Sequence, residues 1–149
     1  MRKILITGIA CIALTGLTTQ ARAGLFSATG AVIAILGGDL FVGEAEGHLS
    51  GAGTLAIYSQ KNPGLTCAGQ FTSSAELGGK GQLRCSDGSV STFQFKRLSV
   101  RRGYGGGSFS RGSMSFAYGL TAEEAGPYLK LPKGKKLARN GTELALVDL

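Results

Sequence analysis

Glycines recur two apart at intervals of 26–28 residues, and this spacing constrains the fold of the 149-residue chain more than any other feature. Gly51-Ala-Gly-Thr-Leu55 matches Gly79-Lys-Gly-Gln-Leu83, with Ala56-Ile57 aligned on Arg84-Cys85. Gly105-Gly-Gly-Ser-Phe109 is a degenerate third copy. The period is the length of a hairpin, and three imperfect copies are too few for a solenoid. Positions two apart in a strand point to the same face. Each copy therefore lays glycines in a row, where a ring or another strand can lie against the backbone, or the sheet can bend sharply. Collagen is excluded, because there is no three-residue period and the chain has only three prolines. The expected fold is mainly β: a single small antiparallel sheet or barrel-like domain with one short helical turn near the C-terminus.

Alternation places the strands. Val32–Leu36 is a short continuous apolar run ended by Gly37-Gly38, and Asp39–Ala45 continues as a strand. Gly53–Tyr58, Cys67–Phe71, Gly81–Cys85, Thr92–Lys96 and Ser113–Tyr118 follow, with Phe93 and Phe95 on one face and Met114, Phe116 and Tyr118 on another. Lys61-Asn-Pro-Gly64 reads as a turn. Ser86-Asp87-Gly88 reads as a hairpin turn in which Asp-Gly supplies positive φ values. Thr121-Ala-Glu-Glu124 is a capping box, and Pro127 limits the helix that follows to a turn or two. A last strand is expected over Glu143–Val147.

The chain opens with Arg2 and Lys3, an apolar run from Ile4 to Leu17, and Ala21-Arg22-Ala23. That order is a secretory signal peptide, residues 1–23, with cleavage before Gly24. The run is too short for a membrane-spanning helix. A rival reading takes Gly8-Ile-Ala-Cys11 as a lipobox, with Cys11 lipidated. The domain organisation is then a signal at 1–23, a Gly-rich β-domain at 24–131, and a basic C-terminal segment at 132–149. The expected location is periplasmic or secreted, or, through Cys11, an outer-membrane lipoprotein. No transmembrane helix is expected after cleavage.

Cleavage leaves Cys67 and Cys85, most simply one disulfide in an exported chain. It also leaves 13 basic against 9 acidic residues. That mild excess supports solubility and weak attraction to anionic surfaces, and nucleic acid is not expected. Arg101, Arg102 and Tyr104, with Lys96, Arg97 and Arg111, form one basic cluster with an aromatic. Lys130, Lys133, Lys135, Lys136 and Arg139 form another. Arg101, Arg102, Tyr104, Lys133, Lys135 and Lys136 are the candidate anion-binding residues, against the plainer reading of solvated edges and tail.

Catalytic sets are sparse. His48 is the only histidine, and Ser50 two residues on is poorly placed for a triad. Glu44 and Glu46 could pair as hydrolase carboxylates, but more often such residues form a polar face. Gly103-Tyr-Gly105-Gly-Gly107-Ser lacks the helix and Lys-Ser/Thr ending of a phosphate loop. The sequence calls for no catalytic residue, metal or cofactor.

Cys67-Ala-Gly-Gln-Phe71, Gly81-Gln-Leu-Arg-Cys85-Ser-Asp87-Gly88 and the later Phe-Ala-Tyr-Gly119-Leu segment together resemble a group of small secreted or lipoprotein-like Gly-rich β proteins of proteobacteria. The resemblance runs from about Val32 to Leu137 and implies a bacterial, periplasmic or surface setting. It carries no catalytic residues. The expected function is an exported non-enzymatic binding or structural module of the bacterial envelope. Its partner would be an envelope protein or an anionic glycan or lipid. A small envelope hydrolase using Glu44, Glu46 and His48 is the alternative.

Overall fold

The computed structural model describes residues 27–74 and 77–149. The signal segment, with Cys11, lies outside the described residues. Eight strands run in order as an antiparallel meander: β1 (Ser27–Leu36), β2 (Asp39–His48), β3 (Ala52–Ser59), β4 (Thr66–Ser74), β5 (Gly78–Cys85), β6 (Val90–Ser99), β7 (Arg102–Phe109) and β8 (Gly112–Tyr118). β8 pairs back onto β1, from Val32 opposite Tyr118 to Leu36 opposite Met114, and closes a barrel. After it come α1 (Ala122–Ala125), a 3₁₀ turn (Gly126–Tyr128), and a separate hairpin of β9 (Lys135–Asn140) and β10 (Glu143–Asp148).

The glycine repeat has a physical cause. β3, β5 and β7 supply inward glycines, while β4, β6 and β8 supply inward aromatic rings. Phe71 stands opposite Gly53 on one side and Gly81 on the other. Phe93 stands between Gly81 and Gly107, and Phe95 between Gly79 and Gly105. Phe116 is opposite Gly105, and Tyr118 opposite Gly103. A Cβ at Gly81 would sit 2.5 Å from Phe93 Cζ, one at Gly79 2.8 Å from Phe95 Cζ, and one at Gly105 2.8 Å from Phe116 Cζ. Each ring therefore lies across bare backbone, where a Cβ at Gly79 or Gly105 would also overlap a neighbouring strand's carbonyl oxygen. The rings then meet edge to face: Phe71 with Phe95 at 5.6 Å, Phe93 with Phe116 at 5.2 Å, and Phe95 with Tyr118 at 6.0 Å between centroids. Val32, Ala34, Leu36, Phe41, Leu55 and Ile57 complete a single inner cluster with them. Eight strands leave an interior that side chains can fill, and here they fill it.

A second apolar cluster lies outside the barrel. Ile33 and Ile35 of β1, Leu40 of β2 and Ala117 of β8 face outward under Leu120, Ala125 and Leu129, with Leu137, Leu144 and Leu146 of the β9–β10 hairpin packed against them. β1 is thus buried on both faces, which is why its sequence is a continuous apolar run. From Ser27 to Leu36 the chain is therefore a barrel strand. In the 132–149 segment the expected last strand is β10, and Lys135–Asn140 adds β9, which pairs with it in a hairpin packed on the barrel through Leu137, Leu144 and Leu146.

The capping box is present. Thr121 Oγ1 accepts from the Glu124 backbone N–H at 3.3 Å, and Glu124 Oε2 accepts from the Thr121 N–H at 2.9 Å. In the Asp87-Gly88 turn only Gly88 has positive φ, so the expected pair of left-handed residues is corrected to one. Asp87 Oδ1 accepts from the Ser89 N–H at 2.9 Å, a local turn contact that fixes the loop without it.

Candidate functional site

The meander gives the barrel two unlike rims. One carries the β1–β2, β3–β4, β5–β6 and β7–β8 turns, whose residues include Gln60, Lys61, Asn62, Asp87 and Arg111. Cys67 and Cys85 face each other across β4 and β5 near this rim and form the expected disulfide, with Cα atoms 3.8 Å apart. The other rim carries the β2–β3, β4–β5 and β6–β7 turns, the start of β1 and the end of β8.

Most of the outer wall between the rims is polar. Thr54, Gln70, Thr72, Lys80, Gln82, Thr92, Gln94 and Ser108 face outward from β3 to β7 and line a broad hollow with His48. Glu44 and Glu46 face outward from β2 and line a neighbouring hollow. Apolar inside and polar outside is the reverse of a lipid-spanning barrel. Among the described residues, no helix is long and apolar enough to cross a membrane.

The hydrolase candidates are brought to the same strand face without converging. Glu44, Glu46 and His48 occupy every second position of β2, each about 7 Å from the next along the strand. The two carboxylates border one hollow and His48 the other. Among the described residues, no group of three or more His, Cys, Asp or Glu side chains is placed to hold a metal ion.

The anion-binding candidates are dispersed. Arg101 and Arg102 lie at the β6–β7 turn, on the rim away from the disulfide. Arg102 makes an ion pair with Glu124, whose carboxyl is held below the usual range mainly by the Thr121 backbone N–H and then by Arg102. Tyr104 is half-buried and stacks on Tyr128 with centroids 4.2 Å apart, so its ring packs α1 and the 3₁₀ turn onto the barrel rather than standing free. Arg111 departs from the cluster that the sequence assigned it. It sits on the disulfide rim, over the Phe109 ring and 2.5 Å from Asp87 Oδ2. That bond, followed by the Ser89 contacts, lowers the Asp87 pKa to about 2. Lys135 pairs with Asp148 at 2.6 Å, whereas Lys133 and Lys136 are exposed. Lys133 follows Pro132, which lies beside Gly38 on the disulfide rim, far from Arg101.

Sequence reasoning missed two features of the far rim. Arg97 points inward, following Phe93 and Phe95, and its guanidinium closes the barrel from within. Nη2 donates to Ser73 Oγ at 2.7 Å and Nη1 to the Val100 carbonyl at 3.3 Å. Burial raises the neighbouring Tyr118 hydroxyl pKa, and the Arg97 charge opposes that rise. The second feature is a set of exposed aliphatic residues, Leu49, Leu77 and Val100 on the turns and Leu98 near the end of β6. Their signal was visible only as isolated apolar residues next to turn residues. Comparison of the chain with known protein families, with curated proteins and with solved structures finds no match.

Proposed function

We propose that the chain is an exported, non-enzymatic binding module of the bacterial envelope, in which the filled barrel is a rigid scaffold and the binding is done by its outside. The observation that carries this reading is the interior. Fourteen buried residues form one continuous inner cluster, so a ligand has to be taken at a rim or on the wall. A cross-strand disulfide suits an oxidising compartment, as do the secretory pattern of residues 1–23 and the resemblance to secreted proteobacterial β proteins. Anionic glycan or lipid headgroups are the favoured ligand chemistry, because Arg101 stands exposed at a rim and, among the described residues, pairs with no acidic side chain.

Expression of the full chain in a Gram-negative host tests the export. The expected product begins at Gly24, lacks the mass of two hydrogens for the Cys67–Cys85 bridge, and fractionates with periplasm or membranes. A full-length, reduced, cytoplasmic product refutes export. Washed envelopes should carry down the purified product, and the combined Glu44→Gln, Glu46→Gln, His48→Ala variant should sediment as well as its parent. A hydrolytic activity that this variant loses would overturn the non-enzymatic reading.

A further inference from the structure

We propose that the rim away from the disulfide is a membrane-docking end that seats on an anionic bilayer. Leu49, Leu77, Leu98 and Val100 would enter the acyl boundary while Lys96 and Arg101 meet the headgroups. The proposal deepens the reading of an exported binding module and rests on it.

Four observations converge. Leu49, Leu77 and Val100 are 79, 81 and 76% exposed, and Leu98 is 49% exposed. They occupy three successive hairpins, and the antiparallel meander brings all three to the same end of the barrel. The opposite rim offers Gln60, Lys61, Asn62, Asp87 and Arg111 at its turns, with Tyr58 and Val90 each 43% exposed at strand ends, so the freely exposed aliphatic turn tips gather at one end. Aliphatic tips backed by cations form the amphipathic pattern of an interfacial anchor.

Charge distinguishes a bilayer from a second copy of the chain. On the hairpin from Lys96 to Arg102, Lys96 and Arg101 are exposed cations, whereas Arg97 turns inward and Arg102 pairs with Glu124. Two such ends placed together would oppose like charges, whereas anionic lipid complements them. Lys80 and Glu76 on the neighbouring hairpin cancel in the sequence, Glu76 lying outside the described residues. The Arg97 hydrogen bond to the Val100 carbonyl ties the β6–β7 tip to the barrel, so it is presented by a fixed scaffold.

Chain connectivity supplies the fourth observation. β1 begins at Ser27, opposite His48, at this same rim. The chain therefore enters the barrel at this end.

The chain has no tryptophan, so a single introduced indole reports its own surroundings. Leu77→Trp and Val100→Trp are made in the form isolated after export, with Asn62→Trp as the control on the disulfide rim. Vesicles of phosphatidylglycerol with phosphatidylethanolamine are expected to blue-shift the emission of the first two and leave the third unchanged. Each inserted aliphatic contributes on the order of tenfold to partitioning when fully buried. Because insertion is partial, the triple Leu49→Ser, Leu77→Ser, Val100→Ser variant should bind about a hundredfold more weakly, with its thermal unfolding unchanged. Added salt or the Lys96→Gln, Arg101→Gln variant should weaken binding to these vesicles, and phosphatidylcholine vesicles should bind poorly.

Equal blue shifts at Asn62 and Leu77, or undiminished binding by the triple variant, would overturn the proposal. So would a dimer that the triple variant dissociates while the parent ignores the vesicles, or capture by anionic polysaccharide in place of lipid. A chain that remains uncleaved in the cytoplasm defeats the export reading instead, and the mass measurement above separates the two failures.

Discussion

Replacing Gly53 with alanine puts the glycine–ring arrangement to its sharpest test. Gly53 is buried on β3 directly opposite Phe71 of β4, and a Cβ built there overlaps the Phe71 ring and stands 2.5 Å from the Glu46 carbonyl oxygen. In an open strand the change would be mildly favourable, by about 0.5–1 kcal/mol. Here overpacking reverses the sign and costs about 1–3 kcal/mol. Phe71→Ala removes a half-buried ring that contacts Phe95, and its cost falls low in the large-to-small range, about 2–3 kcal/mol. With the ring gone, its share of the obstruction at Gly53 is relieved, while the Glu46 carbonyl oxygen stays 2.5 Å away. The double variant should therefore be more stable than the sum of the singles implies, by about 1–2 kcal/mol, which is the coupling expected of residues in contact. Urea unfolding followed by far-ultraviolet circular dichroism measures all four corners of the cycle. Additivity within about 0.5 kcal/mol would refute the argument that the ring is what requires glycine at this position.

Three further outcomes follow from particular contacts. Reduction of the Cys67–Cys85 bridge, or the paired change to alanine, should lower stability by about 3 kcal/mol through the loop it closes, read as a shift in the denaturation midpoint. Asp87 is held at about 2 by Arg111 and the Ser89 contacts. Because its folded pKa lies below its unfolded value, its stabilising contribution is present above about 4 and lost as pH falls towards 2. Arg111→Ala should raise the Asp87 value measured by carboxyl NMR titration and flatten stability across that window, whereas an unchanged titration would contradict the ion pair. Tyr128→Ala should loosen the outer cluster by removing the stack on Tyr104. Trypsin is expected to cut sooner around Lys130 to Arg139, with the barrel remaining intact as a resistant core.

Local patterns specified much of the architecture. β3 and β6 alternate plainly because one face meets the interior and the other meets water, and the Thr121 capping box needs only its own four residues. β7 was harder to read. Arg102–Phe109 holds four glycines and few apolar residues, and its place in the sheet depends on Phe93, Phe95 and Phe116 from the neighbouring strands lying over it. β9 looked like a solvated basic stretch because three of its six residues are cations, while the burial of Leu137 depends on the distant β1, β2 and β8. The candidate site divided along the same line. Cys67 and Cys85 could be paired from their number alone, but the basic residues were grouped by nearness in sequence. The meander sent Arg111 to one rim and Arg101 to the other, and Tyr104 into a packing contact.

The sequence by itself determined that glycines must lie in rows on strand faces, because a side-chain period of two leaves no other arrangement for G-x-G in a β chain. It also determined that two cysteines would remain as a pair if the first 23 residues are removed. Only the tertiary structure decided what the glycines face, since the aromatic rings come from other strands, and only it gathered Leu49, Leu77 and Val100 at one end. Those residues are separated along the chain by more than twenty positions at each step, and no local pattern links them. Antiparallel connection does, because every second turn of a closed meander returns to the same rim.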